Sequence, residues 1–127
     1  METLGNQIVG AFYDVYWDLR PGFLESTYVR AMQIALRKHG IASQLEVPAT
    51  VYFRGEVVGR YRMDLVVAGE IVVECKVADR LQRSNEAQLL HYLKATDYKV
   101  GMLLNFGAKP EFKRLIYETA RVRDRAP

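Results

Sequence analysis

The sequence lacks the features that mark secreted, membrane-spanning or disulfide-bonded proteins. Cys75 is the single cysteine, so no internal disulfide can form, and a reducing cytoplasm is the expected location. No stretch approaches the roughly 20 uncharged apolar residues that a membrane span needs, so no membrane partner is expected. The first ten residues show no basic segment followed by an apolar run, which predicts that a secretion signal is absent.

The sequence also lacks a large excess of positive or negative residues, and its formal net charge is only +3 at pH 7. That value alone does not indicate a nucleic-acid-binding protein. Residues 109–127 are more basic, with six basic residues against three acidic ones. The six are Lys109, Lys113, Arg114, Arg121, Arg123 and Arg125. A basic tail favours a polyanion through counterion release, and a solvated surface end explains the same composition equally well.

The chain has 127 residues, half of them apolar, and we therefore expect a single domain over residues 1–127. Apolar spacing predicts two helices, then a group of strands, and finally a helix and a strand. The predicted helices span residues 4–19, 23–39 and 85–95, and the predicted strands span residues 49–53, 57–67, 71–77 and 100–104. Residues 111–123 show no clear pattern.

This order of elements predicts an α/β fold. Gly40 marks the end of the second helix, and residues 54–56 and 68–70 are typical of hairpin turns between the first three strands. The closing strand–helix–strand unit predicts a crossover that adds a parallel strand. The expected architecture is a mixed sheet covered by helices, with residues 100–104 buried on both faces.

The hairpin formed by the second and third predicted strands brings charged side chains together. A three-residue loop pairs Val67 with Ile71, and counting back from that pair sets Asp64 directly opposite Glu74. Opposed residues share one face, with Cβ atoms about 5 Å apart. Lys76 points to the same face, because it lies two residues beyond Glu74.

The pairing of Asp64 with Glu74 is unfavourable for stability, because two ionised carboxylates on a buried strand repel each other. A divalent cation removes the repulsion, and Mg²⁺ is typically held by one or two carboxylates with waters and phosphate oxygens. Lys76 could then orient an attacking water or stabilise developing negative charge. The alternative is a surface ladder in which Lys76 forms salt bridges, although the apolar neighbours favour a buried strand. A two-residue loop would set Asp64 against Cys75 instead and would weaken the metal-site interpretation.

Glu25 is a further acidic candidate on the second helix. It heads a helical row whose other members are apolar and predicted to face the core, namely Val29, Met32 and Leu36. A carboxylate in that position needs a cation or a hydrogen-bond donor. The alternative is a first-turn glutamate that interacts favourably with the helix dipole.

Gln88 and Tyr92 lie one helical turn apart and share a face of the third predicted helix. Alternative roles are a capping box with Asn85 for Gln88 and core packing for Tyr92. Trp17 and the eight tyrosines are expected in the core rather than as platforms for stacking bases, although Tyr61 or Tyr52 near the hairpin could touch a substrate.

Four sequence blocks together resemble a known family. Residues 22–28 read GFLESTY, which has the pattern G-x-x-E-x-x-Y. The other blocks are YRMDLVVAGEIVVECK at 61–76, AQLLHYL at 87–93 and VGMLLNF at 100–106. In this order, over about residues 4–117, they resemble the GxxExxY proteins, a branch of the PD-(D/E)xK nuclease-like superfamily. The resemblance implies a restriction-endonuclease-like α-β-β-β-α-β core, in agreement with the predicted order of elements.

The resemblance also implies roles for the acidic and basic residues. Asp64 corresponds to the motif aspartate, and Glu74 and Lys76 correspond to the E-x-K pair. Glu25 corresponds to the additional acidic residue that the first core helix often contributes. Met63 replaces the motif proline before the aspartate, at a position that varies across the superfamily.

Two further roles come from the same resemblance. Gln88 and Tyr92 resemble the Q-x-x-x-Y motif of RecB-like nucleases, in which the glutamine lies close to the phosphate or metal site. Cys75 occupies the free position between Glu74 and Lys76. Its backbone carbonyl is the implied metal ligand, and its side chain should point to the opposite face.

The function implied is hydrolysis of phosphodiester bonds in nucleic acid with Mg²⁺ or Mn²⁺ as the cofactor. The implied metal ligands are Asp64, Glu74, Cys75 and Glu25, with Lys76 and Gln88 as further catalytic residues and Gln88 and Tyr92 in contact with substrate. We expect DNA rather than RNA as the partner. We also expect either a homodimer that composes a larger groove or a partner that delivers substrate, because so small a domain has little room for its own sequence-reading element. The alternative is a catalytically idle module on the same fold that binds nucleic acid or only dimerises.

Overall fold

The computed structural model describes residues 2–117 of the chain. The helices in this part are α1 (Leu4–Leu19), α2 (Glu25–Lys38) and α3 (Arg83–Ala95). The strands are β1 (Ser43–Phe53), β2 (Glu56–Val67), β3 (Ile71–Lys76), β4 (Val100–Asn105) and β5 (Glu111–Ile116). The order of the elements from α1 to β4 confirms the sequence prediction. β5 lies in the segment for which the sequence predicted no structure.

The two N-terminal helices begin and end close to their predicted bounds. The bounds of α1 are those predicted, and the Thr3 hydroxyl caps it by accepting a hydrogen bond from the Asn6 N–H at 3.2 Å. α2 begins two residues later than predicted, and the chain before it is held by a hydrogen bond from the Phe23 N–H to the Tyr28 hydroxyl. Gly40 follows α2 with a φ of 74°, which confirms its role as the helix stop.

The five strands form one mixed sheet in the order β1-β2-β3-β4-β5. β3 and β4 are parallel, and the other neighbouring pairs are antiparallel. α3 connects β3 to β4, so the predicted addition of a parallel strand is confirmed. β4 is buried on both faces, because Met102 and Leu104 pack against one core cluster and Leu103 packs against the other.

β1 and the turn after it differ from the sequence prediction. β1 begins at Ser43, six residues before the predicted start, because it runs along an edge of the sheet, where Pro48 is tolerated. The turn has only two residues, Arg54 and Gly55, with φ of 50° and 82°. The predicted turn was therefore one residue too long, since Glu56 already pairs with the last residue of β1.

The core lies on both faces of the sheet. α1 and α2 cover one face, where Phe106 packs at a ring-centroid distance of 4.9 Å from Phe12 and 4.4 Å from Tyr28. α3 covers the other face with the fully buried Leu89 and Leu93. The two clusters hold the sheet rigidly between helices, and the end of β3 lies between them.

Three sequence expectations concern the surface. The prediction of a core position is wrong for Trp17 and Tyr52. Trp17 is 55% exposed because it shares the solvent face of α1 with Gly10 and Asp14, and Arg20 lies over its ring. Tyr52 is 63% exposed near the turn between β1 and β2. Of the predicted basic tail, Arg121, Arg123 and Arg125 lie outside the described residues. Within residues 2–117, every helix is too short or too polar to cross a membrane.

Candidate active site

The turn of the β2–β3 hairpin sets the register of the site. Val67 pairs with Ile71 across a three-residue turn, and the next two pairs keep that register. Ala68 and Gly69 have φ of 54° and 66°, a region that glycine enters without steric cost. The predicted three-residue loop is confirmed and the two-residue loop is excluded. Asp64 and Glu74 therefore lie beside each other on the neighbouring strands.

Regular backbone pairing between β2 and β3 stops where the two carboxylates meet. Beyond the ladder pair formed by Leu65 and Val73, the Glu74 Oε2 accepts a hydrogen bond from the Asp64 N–H at 2.7 Å. The Asp64 Oδ2 accepts one from the Cys75 N–H at 2.9 Å. Each carboxylate thus binds the backbone of the opposite strand. The predicted adjacency of the two residues is confirmed, but the expected backbone pair is replaced by these side-chain hydrogen bonds.

Asp64 also lies at a break in the pairing between β2 and β1. Its neighbours Met63 and Leu65 both pair with β1, while the register skips Asp64 and Glu46, and Glu46 has a φ of 52°. Met63 packs beneath α3, whereas Leu65 packs in the cluster beneath α1 and α2. Residues two apart on a regular strand share a face. β2 therefore changes face at Asp64, and this break lets the carboxylate reach the backbone of β3.

Burial disfavours ionisation of the carboxylate pair. Glu74 is 3% exposed, and burial together with the neighbouring Asp64 charge raises the pKa of Glu74 to about 8. Burial also raises the pKa of Asp64, and the hydrogen bond from Cys75 and the charge of Lys76 offset this only in part. In the metal-free protein at neutral pH the two groups therefore do not both ionise readily. A cation beside them would favour both charged forms.

α3 completes the site from the face of the sheet that it covers. The Lys76 Nζ donates a hydrogen bond to the Gln88 Oε1 at 2.6 Å, and Tyr92 lies one helical turn beyond Gln88. Burial, with the negative charges of Glu74 and Asp64, raises the pKa of Tyr92. Lys76, Gln88 and Tyr92 therefore lie together beside the carboxylates.

The alternative roles weighed for Gln88 and Tyr92 have different outcomes. The capping box at the start of α3 is made by Gln82 and Asn85, so the capping role for Gln88 is wrong. Gln88 is exposed on the face that meets Lys76. Tyr92 is 6% exposed within the cluster beneath α3, so core packing is confirmed for its ring.

Glu25 lies at the entrance to the site rather than inside it. The apolar row below it is buried as predicted, but Glu25 itself is exposed in the first turn of α2. It lines a cavity of about 450 Å³ together with Asp64 and Glu46. Its negative charge contributes to the raised pKa of both Asp64 and Glu74, which shows that it lies within their electrostatic reach.

The side chain of Cys75 points away from the carboxylates. It is fully buried in the cluster beneath α1 and α2, and this burial raises the pKa of the thiol well above its ordinary value. Across residues 2–117, no group of three or more His, Cys, Asp or Glu side chains lies close enough together to hold a metal ion. The side-chain oxygens that already lie together are those of Asp64 and Glu74.

Near the site, the sequence reasoning missed Glu46 and did not predict how Tyr61 packs. Glu46 lines the cavity beside Asp64, and it was overlooked because the predicted β1 started too late to include it. The Tyr61 ring packs edge-on against His91 at a centroid distance of 4.6 Å and lies 6.4 Å from the ring of Tyr92. Tyr61 lies two residues before Met63 on β2, so the two side chains share the face that packs against α3. This alternation was the sequence signal that could have predicted the contact of Tyr61 with α3.

A family model for the PD-(D/E)XK nuclease superfamily matches residues 2–115 of the chain. The chain belongs to this superfamily. The GxxExxY branch remains a resemblance carried by the four sequence blocks. No curated protein matches the chain at a significant level.

Solved structures support the fold assignment. The crystal structure of SSO0001 matches with a TM-score of 0.58 and 16% identity over 77% of this chain. The crystal structure of an alkaline exonuclease from Laribacter hongkongensis matches with a TM-score of 0.54 and 10% identity, also over 77% of this chain. This chain spans 54% and 59% of the length of those two proteins. At these identities the likeness concerns the fold, and it agrees with the predicted restriction-endonuclease-like core.

The donor chemistry of the site fits the cofactor that the superfamily uses. PD-(D/E)XK nucleases generally use divalent metal ions. Mg²⁺ and Mn²⁺ prefer hard oxygen ligands such as carboxylates, carbonyls and waters. The carboxylates of Asp64 and Glu74 lie beside each other. One oxygen of each carboxylate accepts a hydrogen bond from a backbone N–H. The residues present therefore fit such an ion.

Proposed function

We propose that the chain hydrolyses phosphodiester bonds of nucleic acid with Mg²⁺ or Mn²⁺. The observation that carries the proposal is the mutual arrangement of Asp64 and Glu74, whose side chains replace the ladder bonds of a buried hairpin. Such an arrangement weakens the sheet and opposes like charges. A site for a doubly charged ion accounts for both costs.

In this proposal Asp64 and Glu74 hold the metal ion, with Glu25 at the cavity entrance and the Cys75 carbonyl as further ligands. The ion, when bound, lowers the pKa of a bound water and neutralises charge on the phosphate. The Lys76 Nζ orients the attacking water or stabilises the negative charge that develops as the water oxygen bonds to phosphorus. The bond from phosphorus to the leaving oxygen breaks, and that oxygen takes up a proton.

The α3 residues keep the cation of Lys76 in position. Gln88 accepts the hydrogen bond from the Lys76 Nζ at 2.6 Å, and Tyr92 lies one helical turn beyond Gln88 on the same helix. We propose that Gln88 and Tyr92 also contact the substrate phosphate. We propose DNA rather than RNA as the substrate and a homodimer as the functional unit. Parallel assays on both nucleic acids and light scattering test these two points.

Cleavage assays on single- and double-stranded DNA and RNA, with Mg²⁺ or Mn²⁺ and with EDTA, test the proposal. We expect metal-dependent cleavage by the wild type and a loss of about 100-fold or more in Asp64→Asn and Lys76→Ala. Glu70→Gln, an exposed substitution in the turn of the same hairpin, is the matched control and should cleave at the wild-type rate.

Two outcomes would contradict the enzyme assignment. One is a wild-type protein that is inert on all these substrates in both metals. The other is cleavage that persists unchanged in the Asp64 and Lys76 variants, because it would come from a contaminant or another site. Nucleic-acid binding without turnover would instead support an idle binding module.

A further inference from the structure

β1 and β2 extend well beyond the rest of the sheet. β2 pairs with β3 only from Leu65 to Val67, whereas its pairing with β1 continues to the turn at Arg54 and Gly55. Residues 47–63 therefore form a two-stranded arm, here called the β1–β2 arm. Seven residues along β1 give the arm a length of about 24 Å. Its base lies at Asp64, so the arm projects directly from the candidate active site.

One face of the arm is fixed to α3. Ala49 and Met63 at its base are fully buried in the cluster beneath α3. Tyr61 packs its ring against His91 and lies close to Tyr92, one helical turn beyond Gln88. These contacts hold the base of the arm in a defined position relative to the site.

The other face of the arm carries arginines. Arg60 and Arg62 are exposed, and strand alternation places them on the face opposite Tyr61. Their Cα atoms are about 7 Å apart, because each residue of a strand adds about 3.4 Å. Arg62 forms an ion pair of 3.9 Å with Glu46, and Glu46 lines the cavity that Asp64 lines. The arginine row therefore reaches the rim of the site.

The ion pair with Glu46 leaves Arg62 able to bind a phosphate. Both side chains of the pair are 73% exposed, and exposed pairs of this kind contribute little to stability. A phosphate can therefore replace Glu46 as the partner of Arg62 at little cost. Within the arm, Glu56 is the one acidic residue, against the basic residues Arg54, Arg60 and Arg62.

The tip of the arm exposes aromatic rings. Tyr52 is 63% exposed and Phe53 is 59% exposed, and the Arg54 guanidinium lies 4.9 Å from the centroid of the Phe53 ring. Exposed aromatic and guanidinium planes stack on unpaired bases without sequence preference. A base-paired duplex hides these base faces, so the tip suits a single strand.

We propose that the β1–β2 arm binds a single-stranded segment of nucleic acid, with Arg60 and Arg62 on successive phosphates and the tip aromatics on bases. This inference rests on the proposed function, because it places the scissile phosphate at Asp64. The nucleic-acid strand then continues from Asp64 along β2 toward the tip of the arm. It makes the substrate a polynucleotide strand that extends several nucleotides past the cleaved bond, rather than a mono- or dinucleotide.

Fluorescence anisotropy with labelled single strands of increasing length tests this inference. The measurements use Asp64→Asn protein in EDTA, so that binding is recorded without turnover. In this background, the Arg60→Ala/Arg62→Ala pair should weaken binding by about tenfold or more at low salt. The slope of log K against log salt should fall by about 1.4, which corresponds to two lost contacts with single-strand phosphates. Affinity should rise with strand length until the tip is reached and should fall in Tyr52→Ala/Phe53→Ala.

The matched control removes the same charge elsewhere. Arg37→Ala/Lys99→Ala deletes two exposed cations at the opposite end of the sheet and should bind as the background protein does. Equal binding by the arm variant and this control would overturn the inference, as would an equal loss of affinity for duplex DNA. Because no cleavage is measured, an inactive wild type leaves this test intact. If the wild type cleaves nucleic acid but the arm variant binds as tightly as the background protein, the proposed function would stand and only the binding role of the arm would be refuted.

Discussion

Two polar clusters lie side by side at the ends of β3 and β4, and they differ in how completely their hydrogen-bond donors and acceptors are paired. Asn105 pairs with Lys76 in the parallel ladder and is fully buried. Its Nδ2 donates to the Ala78 carbonyl at 3.0 Å and the Glu111 Oε1 at 3.1 Å, and its Oδ1 accepts from the Ala78 and Gly107 N–H groups at 3.0 Å. All hydrogen-bonding positions of the amide are used.

The carboxylate cluster next to it is built differently. Asp64 and Glu74 are two neighbouring carboxyl groups in a buried hairpin, each fixed by one backbone N–H. Burial raises the pKa of both groups. The neutral, fully paired amide thus stabilises the fold, whereas the incompletely paired acidic couple costs stability in the metal-free protein.

The largest contrast should appear in the stability of matched variants. Asn105→Ala leaves the buried Ala78 and Gly107 N–H groups without their acceptor and should lower the free energy of unfolding by about 2–4 kcal/mol. Asp64→Asn keeps an oxygen for the Cys75 N–H and removes the repulsion, so stability should stay equal or rise. Urea denaturation of metal-free protein measures both. A loss in Asp64→Asn as large as that in Asn105→Ala would break the comparison.

The pH dependence of stability should sharpen the same contrast. The pKa of Glu74 is about 8 in the folded protein against an ordinary value of 4.5, so the folded state retains a proton that the unfolded state releases between these values. The contribution of Glu74 to the stability of the metal-free protein should therefore be fully present below the lower value and be lost as pH rises through the upper one. Glu74→Gln should flatten this fall, and Glu70→Gln should not. Melting temperatures across this range measure the effect, and identical curves for the two variants would contradict it.

The smallest effect is expected for Gln88. Gln88→Ala removes the acceptor that holds the Lys76 Nζ but leaves the cation in place, so cleavage should fall by about tenfold or less. Gln88 is exposed, and its loss should barely change the free energy of unfolding. Gln44→Ala, an exposed change on β1, is the control. A stability loss without a rate loss would make Gln88 a structural residue.

Much of the fold follows from local patterns that the sequence displays. The apolar row of α1 and the three-residue turn at 68–70 depend on neighbours within a few residues, and both were predicted correctly. β1 was cut short because Pro48 and the irregular Glu46 hide the alternation of an edge strand. β5 escaped prediction because an edge strand exposed over most of its length carries little apolar signal.

The candidate site was predictable in composition but not in geometry. Adjacency of the two acids followed from the turn, whereas the change of face at Asp64 depends on a break in pairing that regular alternation cannot predict. The contact between Lys76 and Gln88 depends on where α3 docks, which is decided by packing and by the Asn105 cluster that fixes the connecting loop. Such long-range contacts leave no local pattern.

Isothermal titration of Mn²⁺ into metal-free wild-type protein and into Asp64→Asn/Glu74→Gln measures whether the carboxylate pair binds a metal ion. We expect saturable binding by the wild type at neutral pH, with release of a proton because the Glu74 carboxyl must ionise to bind the ion. We expect no such binding by the folded double variant. A wild type that binds no Mn²⁺, or a double variant that binds it equally well, would contradict the claim that this carboxylate pair is a metal site.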